Sequence, residues 1–464
     1  MIHAQQISQL MFCGDEVPAA VIDMGSCTSR FGTGGQDSPR HVFRSDVGVV
    51  ETEHPGSART GGKKITCGDM ALRYVSEKME VASPYTPKAE GEPGWDIHWD
   101  NVEALVEYGL VQCMKVEPKE QCMLLAENKC TDAASKQRMM ELCFETFCAP
   151  AAYLSPNAVL SSFCAGRPTS MVVDFGASEI RISPLIDGYV LRRAEVSSRR
   201  GSGDWMDAIV GAELSRGYPQ HIKPWFETDG RPQLLPQALR ASFRDLHVRD
   251  VVRDVKKWMS FVPYIPVARE NRQTFIYETI QLPPYELPDG TQVIRGDGVC
   301  TAMERLFVHD YASVSSSGVW TEAYASAGNK LDFRKPQNPK TYMYLPAHAQ
   351  PVDVDVERAT LPELTMLSLM KSDVDARREL LANVLLVGGG SNIDGVAQRL
   401  GHELTPAIPQ NSKFKINPLL PPERHHACWI GGSILSICGS FQQCWISKRE
   451  YQEYGPNLLL QRLA

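Results

Sequence analysis

The stretch Val21-Ile22-Asp23-Met24-Gly25-Ser26 is an apolar run that ends in Asp-x-Gly-Ser, and it decides the fold because it occurs twice. A domain's length further on, Met171-Val172-Val173-Asp174-Phe175-Gly176-Ala177-Ser178 repeats the pattern. A strand that ends in Asp, turns at Gly and continues with small residues can place backbone N–H groups around a phosphate. The carboxylate then faces a hydrated cation. Gly25 and Gly176 are needed because a Cβ would obstruct either the phosphate or the turn itself. One Asp-x-Gly turn is ordinary loop chemistry. Two of them, each behind an apolar strand, point to a duplicated α/β lobe around a central nucleotide cleft. A third loop, Val384-Leu385-Leu386-Val387-Gly388-Gly389-Gly390-Ser391, is again a buried strand that ends in glycines, with Gly395 close behind. As the last of the series it fits a wall beside a nucleotide's base and sugar.

The composition bounds the rest. A chain of 464 residues buries a large core and forms more than one domain. Hydrophobic content of 43% and charged content of 22% describe a soluble globular protein. No run approaches a membrane span, and residues 1–20 lack the basic start and apolar core of a signal peptide, so no membrane association is expected. The net charge of −7 argues against broad non-specific nucleic-acid binding. The thirteen cysteines follow no metal-binding spacing, and Cys143 and Cys148 sit in apolar runs. They read as free thiols in a reducing compartment, cytosolic or nuclear, with no metal site.

Helical periodicity predicts helices over Ala134–Phe147, Asn157–Cys164 (with Pro156 just ahead of its start) and Val248–Met259. The basic residues of the last, Arg249, Arg253, Lys256 and Lys257, read as a solvated face. Gly217–Arg240 and Ser313–Asp355 are Pro-, Gly- or Ser-rich with little periodicity and read as insertions.

The order Asp23-x-Gly-Ser, Asp174-x-Gly, Gly388-Gly389 resembles the two phosphate loops and the adenosine loop of the actin–hexokinase superfamily. The text between is similar to actin's in particular. Met139–Pro150 and Asn157–Gly166 resemble its helices before the second phosphate loop, and Ser372–Gly389 and Pro421–Tyr451 resemble its carboxyl-terminal third. The resemblance implies duplicated actin-like ATPase lobes of ribonuclease H-like type, each around a five-stranded mixed sheet. The first lobe is expected to hold residues 1–164 and 428–464. The second holds 165–427, with the insertions near 217–240 and 313–355. Lys78–Pro84 after a shortened loop, the first phosphate loop Asp23–Arg30, and Tyr285–Gly290 leading to Glu304–Phe307 resemble a nuclear subfamily, the actin-related protein 4 type. Its members serve chromatin-remodelling and histone-acetyltransferase complexes.

The resemblance also assigns a cofactor site: Asp23, Gly25, Ser26, Arg30, Asp174, Gly176, Lys256, Gly388, Gly389, Gly390 and His425, for ATP or ADP with Mg, weakly bound or structural. Asn157 stands at the position of actin's water-orienting Gln, one methylene shorter. Ala177 replaces an acidic residue, and Arg181 replaces a His of the water network. Arg30 replaces a Lys, keeping the charge but not its geometry. Lys257 stands where an acidic residue would reach the ribose; losing a buried acceptor there costs about 1–3 kcal/mol. In-line attack on a γ-phosphate needs an oriented water and a held cation. No catalytic residue is therefore assigned: the expectation is a nucleotide binder with negligible turnover.

By the same resemblance the working surface is a groove lined by Phe163, Gly166, Pro168, Gly188, Tyr189, Leu435, Cys438, Ser440 and Cys444. These apolar or small residues suit an amphipathic helix. The implied partners are actin and a long helix of a remodeller or scaffold subunit, with histones or nucleosomal DNA reached through the complex, in the nucleus. A cytoskeletal, filament-associated relative is the alternative. It needs a long mobile loop where only Val50–Cys67 is present. A phosphotransferase would need a catalytic Asp for which the chain offers no candidate.

Overall fold

The computed structural model describes residues 19–51, 63–74, 76–88, 94–228, 239–264, 283–293, 297–300, 302–308, 356–408 and 412–455. The chain divides into two compact units, Met1–Gly166 with His426–Ala464, and Arg167–His425. Residues 313–355 lie outside the described residues. So do 229–238 of the other expected insertion and 52–62 of the shortened loop. Among the described residues no helix is long and apolar enough to cross a membrane.

In the first unit the strand Ala20–Met24 is buried along its whole length. It runs parallel to Met123–Ala126 and antiparallel to Thr28–Thr33. A strand covered on both faces reads as a continuous apolar run, as this one does. Its residues alternate between two cores. Ala20, Ile22 and Met24 join Phe31, Leu105 and Met140, while Val21 joins Leu124 and Trp429 on the opposite face. The Trp429 indole N–H donates to the Val21 carbonyl at 3.0 Å, tying the helix Pro421–Ile437 to the sheet. That helix also lies against Asn157–Ala165, where a Cβ on Gly431 would fall 1.7 Å from the Leu160 carbonyl oxygen. Only glycine permits so close an approach.

The second unit repeats the plan. Ser170–Phe175 pairs antiparallel with Ile180–Ile186 and parallel with Val384–Val387. Helices Gly203–Gly217 and Ala241–Met259 cover the sheet through Met206, Val210, Val252 and Val255. The second of these starts earlier than periodicity predicts, because Phe243, Leu246 and His247 extend its buried face. The helix expected over Ala134–Phe147 is α-helical only to Glu141 and widens into a π-turn over Leu142–Thr146. Each main sheet has six strands among the described residues rather than the five expected. The two-residue edge strand Ile446–Ser447 enlarges one sheet, and Val196–Ser198 shares Ile180–Ile186 with Tyr189–Val190 in the other. Such short edge strands leave no periodic trace in a sequence.

Candidate phosphate hairpins and the residues around them

Each Asp-x-Gly motif is the turn of a hairpin, and the turn explains its glycine. Gly25 N–H donates to Thr28 O at 3.1 Å, and a Cβ on Gly25 would stand 3.0 Å from that oxygen. A Cβ on Gly176 would meet the Glu179 carbonyl at 2.7 Å in the same way. The hairpins also place an arginine directly across from the aspartate: Asp23 faces Arg30, and Asp174 faces Arg181.

In the first hairpin this pair is closed. Asp23 is 4% and Arg30 is 8% exposed, and Arg30 Nη1 donates to Asp23 Oδ2 at 3.0 Å. Asp23 Oδ1 accepts from Asn128 Nδ2 at 3.1 Å. Asn128 follows the strand Met123–Ala126 with φ 43, a left-handed conformation that Asn adopts readily. Asn128 in turn holds Asn157: its backbone N–H donates to Asn157 Oδ1, and Asn157 Nδ2 donates to Asn128 Oδ1, both at 2.9 Å. Arg30 Nε donates to His426 Nδ1 at 3.1 Å. Burial, then the charge of Arg30, lower the His426 pKa against an opposing pull from Asp23, so the ring is a neutral acceptor. The loop carbonyls are tied as well. Ser45 Oγ donates to Gly25 O, and Tyr85, its phenol held protonated chiefly by burial, donates to Met24 O. Ser26 is half-buried at the turn.

This arrangement matches a hydrated divalent cation beside Asp23 poorly, because the carboxylate already has a cationic partner. A guanidinium and an amide face its two oxygens, and Asn128 Oδ1 already accepts from Asn157. Two like unit charges roughly 4 Å apart repel by about 4 kcal/mol at an effective dielectric of about 20.

In the second hairpin Arg181 donates to Glu179 at 2.5 Å. Burial works against its charge, but Glu179, Glu195 and Asp174 together raise its pKa above that of an ordinary arginine. Asp174 is half-buried and lies against the third loop: Gly388 has φ 84, and a Cβ there would fall 2.6 Å from Asp174 Oδ1. Gly390 backs onto Phe175, and the His425 ring lies over Gly389, 3.1 Å from where a Cβ would be. The Gly176 and Ala177 carbonyls accept from the N–H groups of Gly203 and Asp204 at the start of helix Gly203–Gly217. Lys256 is not on a solvated face. Its ammonium pairs with buried Asp207 at 2.5 Å and donates to Gly203 O at 3.1 Å. Arg253 also binds Asp207, at 2.7 Å. Lys257 is exposed, 3.9 Å from Asp254.

The family model described as Actin matches residues 14–464. The chain belongs to the actin family. It is similar to Actin-related protein 4 of Arabidopsis thaliana, 31% identical over 97% of this chain and 99% of that one. It is 30% identical to Actin-related protein 4 of Yarrowia lipolytica, over 97% of each chain. The Schizosaccharomyces pombe protein of that name is 27% identical over 98% of each.

In this actin-family chain the site residues separate by unit. Asp23, Gly25, Ser26 and Arg30 lie in the first. Asp174, Gly176, Lys256, Gly388, Gly389, Gly390 and His425 lie in the second. Sequence reasoning missed Asn128 and His426. The signal for Asn128 was a polar residue just past an apolar strand, the second after Ala126. The signal for His426 was the doubled His425-His426.

The expected groove residues also fall in both units. Phe163, Gly166, Ser440 and Cys444 are exposed and Cys438 half-buried in the first; Pro168 and Tyr189 are exposed and Gly188 half-buried in the second. Leu435 departs from the expectation. It is 7% exposed and packs with Ala19, Val21 and Trp429, so it belongs to the core. Its helix instead shows Ile434 and Ile437 to solvent, the latter 59% exposed. Both were missed because the turn of the helix, not composition, separates them from Leu435.

Proposed function

We propose that this chain is a non-catalytic actin-related subunit of a nuclear chromatin-remodelling or histone-acetyltransferase complex. In that role it holds a long helix of a scaffold or remodeller subunit beside actin, and it binds ADP or ATP through its Asp23, Asp174 and Gly388 loops without turning it over. The observation that carries the assembly role is the likeness to proteins named Actin-related protein 4, which spans both chains almost end to end. The non-catalytic part rests on Asn157. Both ends of its amide bond Asn128, and its side chain is one methylene shorter than the water-orienting Gln that the resemblance puts at this position.

Affinity purification from nuclear extract with mass spectrometry tests the assembly role, with Tyr189→Asp as the probe. Tyr189 is 77% exposed, so the variant should fold, and circular dichroism checks that it does. A charge buried at an interface costs several kcal/mol, enough to release a partner. Loss of actin and of a helical scaffold subunit is expected. A folded variant that keeps every partner would exclude Tyr189 from the binding surface, and co-sedimentation with filaments in place of nuclear partners would favour the cytoskeletal alternative.

A further inference from the structure

The first hairpin carries its own cation. Arg30 stands across the sheet from Asp23 and bonds it, Asn128 takes the other carboxylate oxygen, and the group is buried. A divalent ion in a phosphate site has two tasks, to neutralise the phosphates and to join them to the protein's carboxylates. Here a guanidinium is already joined to the carboxylate, and its planar fork is suited to phosphate oxygens. The second hairpin keeps only the placement, with Arg181 across from Asp174 but bonded to Glu179. A hydrated magnesium ion keeps several waters, each of which needs an acceptor. The carboxylate of this hairpin, Asp23, already has its charge balanced by Arg30, so it attracts the waters of a second cation only weakly.

We propose that the ligand of this chain is the metal-free adenosine polyphosphate, with Arg30 in the place of the divalent cation. The proposal rests on the nucleotide-binding reading above and adds to it the ionic form that is bound.

The test is calorimetric titration of the full chain with ADP, in excess EDTA and again in saturating magnesium. The dissociation constants should agree within about threefold, about 0.65 kcal/mol. Tenfold or greater weakening in EDTA, with binding retained in magnesium, overturns metal independence and leaves nucleotide binding standing. Binding in neither condition overturns both. The mechanistic arm is Arg30→Gln, which removes the charge while its amide can still donate to Asp23, so folding should survive. Its affinity should fall at least tenfold in EDTA and recover mostly in magnesium, a metal dependence the unmutated chain lacks. Equal affinity of the variant in the two buffers would show that Arg30 does not take the cation's place. If the variant does not fold, the titration of the unmutated chain decides alone.

Discussion

In the first hairpin Asp23 and Arg30 stand opposite each other and bond; in the second Asp174 and Arg181 stand opposite each other, and Arg181 bonds Glu179. The backbones match down to the carbonyl that each turn glycine must accommodate. The side chains around them do not. Asp23 is held by Arg30 and Asn128, whereas Asp174 is half-buried against the Gly388 turn. A duplicated fold therefore preserves the turn and the position of its carboxylate, because strand pairing and sterics set both. The charge partner depends on neighbours drawn from elsewhere in each unit, and it can diverge. In this chain the first hairpin has become a self-neutralised cluster.

The largest effect that could break this comparison is removal of the arginines. Arg30→Met leaves the buried Asp23 with an amide alone, and loss of one member of a buried pair costs about 3–5 kcal/mol. Arg181→Met should cost about 1.5–3 kcal/mol, the range for a hydrogen bond to a charged group. Urea unfolding of each variant checks the order. Equal losses would mean that the two pairs are energetically alike despite their geometry.

A smaller effect tests the shared backbone. Gly176→Ala would set a Cβ 2.7 Å from a carbonyl and Gly25→Ala one 3.0 Å from its counterpart. Both should destabilise, within about 0.5–3 kcal/mol, and Gly176→Ala the more. Thermal denaturation measures both, and a neutral result for either would mean that its turn opens without strain.

The smallest concerns His426, which accepts from Arg30 of the first hairpin. Its pKa is lowered by burial and by Arg30, so the folded state prefers the neutral ring. The unfolded chain then binds more protons below its ordinary pKa of about 6.5. The contribution is therefore present above that pH and is lost as pH falls towards the folded value. His426→Gln should flatten this part of the stability–pH curve. An unchanged slope would mean that other groups produce it.

Much of this was legible in the residues. Apolar strands that end in Asp-x-Gly or in glycines announce themselves, because a buried strand must be apolar and a tight turn must be glycine. The partners of Asp23 were harder to read. Arg30 was read as a substitute for a lysine at the phosphate, and its bond to Asp23 became visible only with the strand register. Asn128 and His426 lie on other elements, and no local pattern brings the first to Asp23 or the second to Arg30. Lys256 looked like part of a solvated face because periodicity places a residue on a helix without naming what packs on it, here Asp207. Leu435 and Ile434 are isomeric aliphatic neighbours on opposite sides of the core boundary.

On the function proposed above, this actin-family chain binds nucleotide at its two Asp-x-Gly hairpins and does not turn it over. The most direct test loads the purified protein with γ-labelled ATP, removes free nucleotide, and follows bound nucleotide and released phosphate together, in magnesium and in EDTA. The bound ATP should be recovered intact in both buffers. Conversion to ADP and phosphate while the nucleotide remains bound, at the pace of a working ATPase, would contradict it.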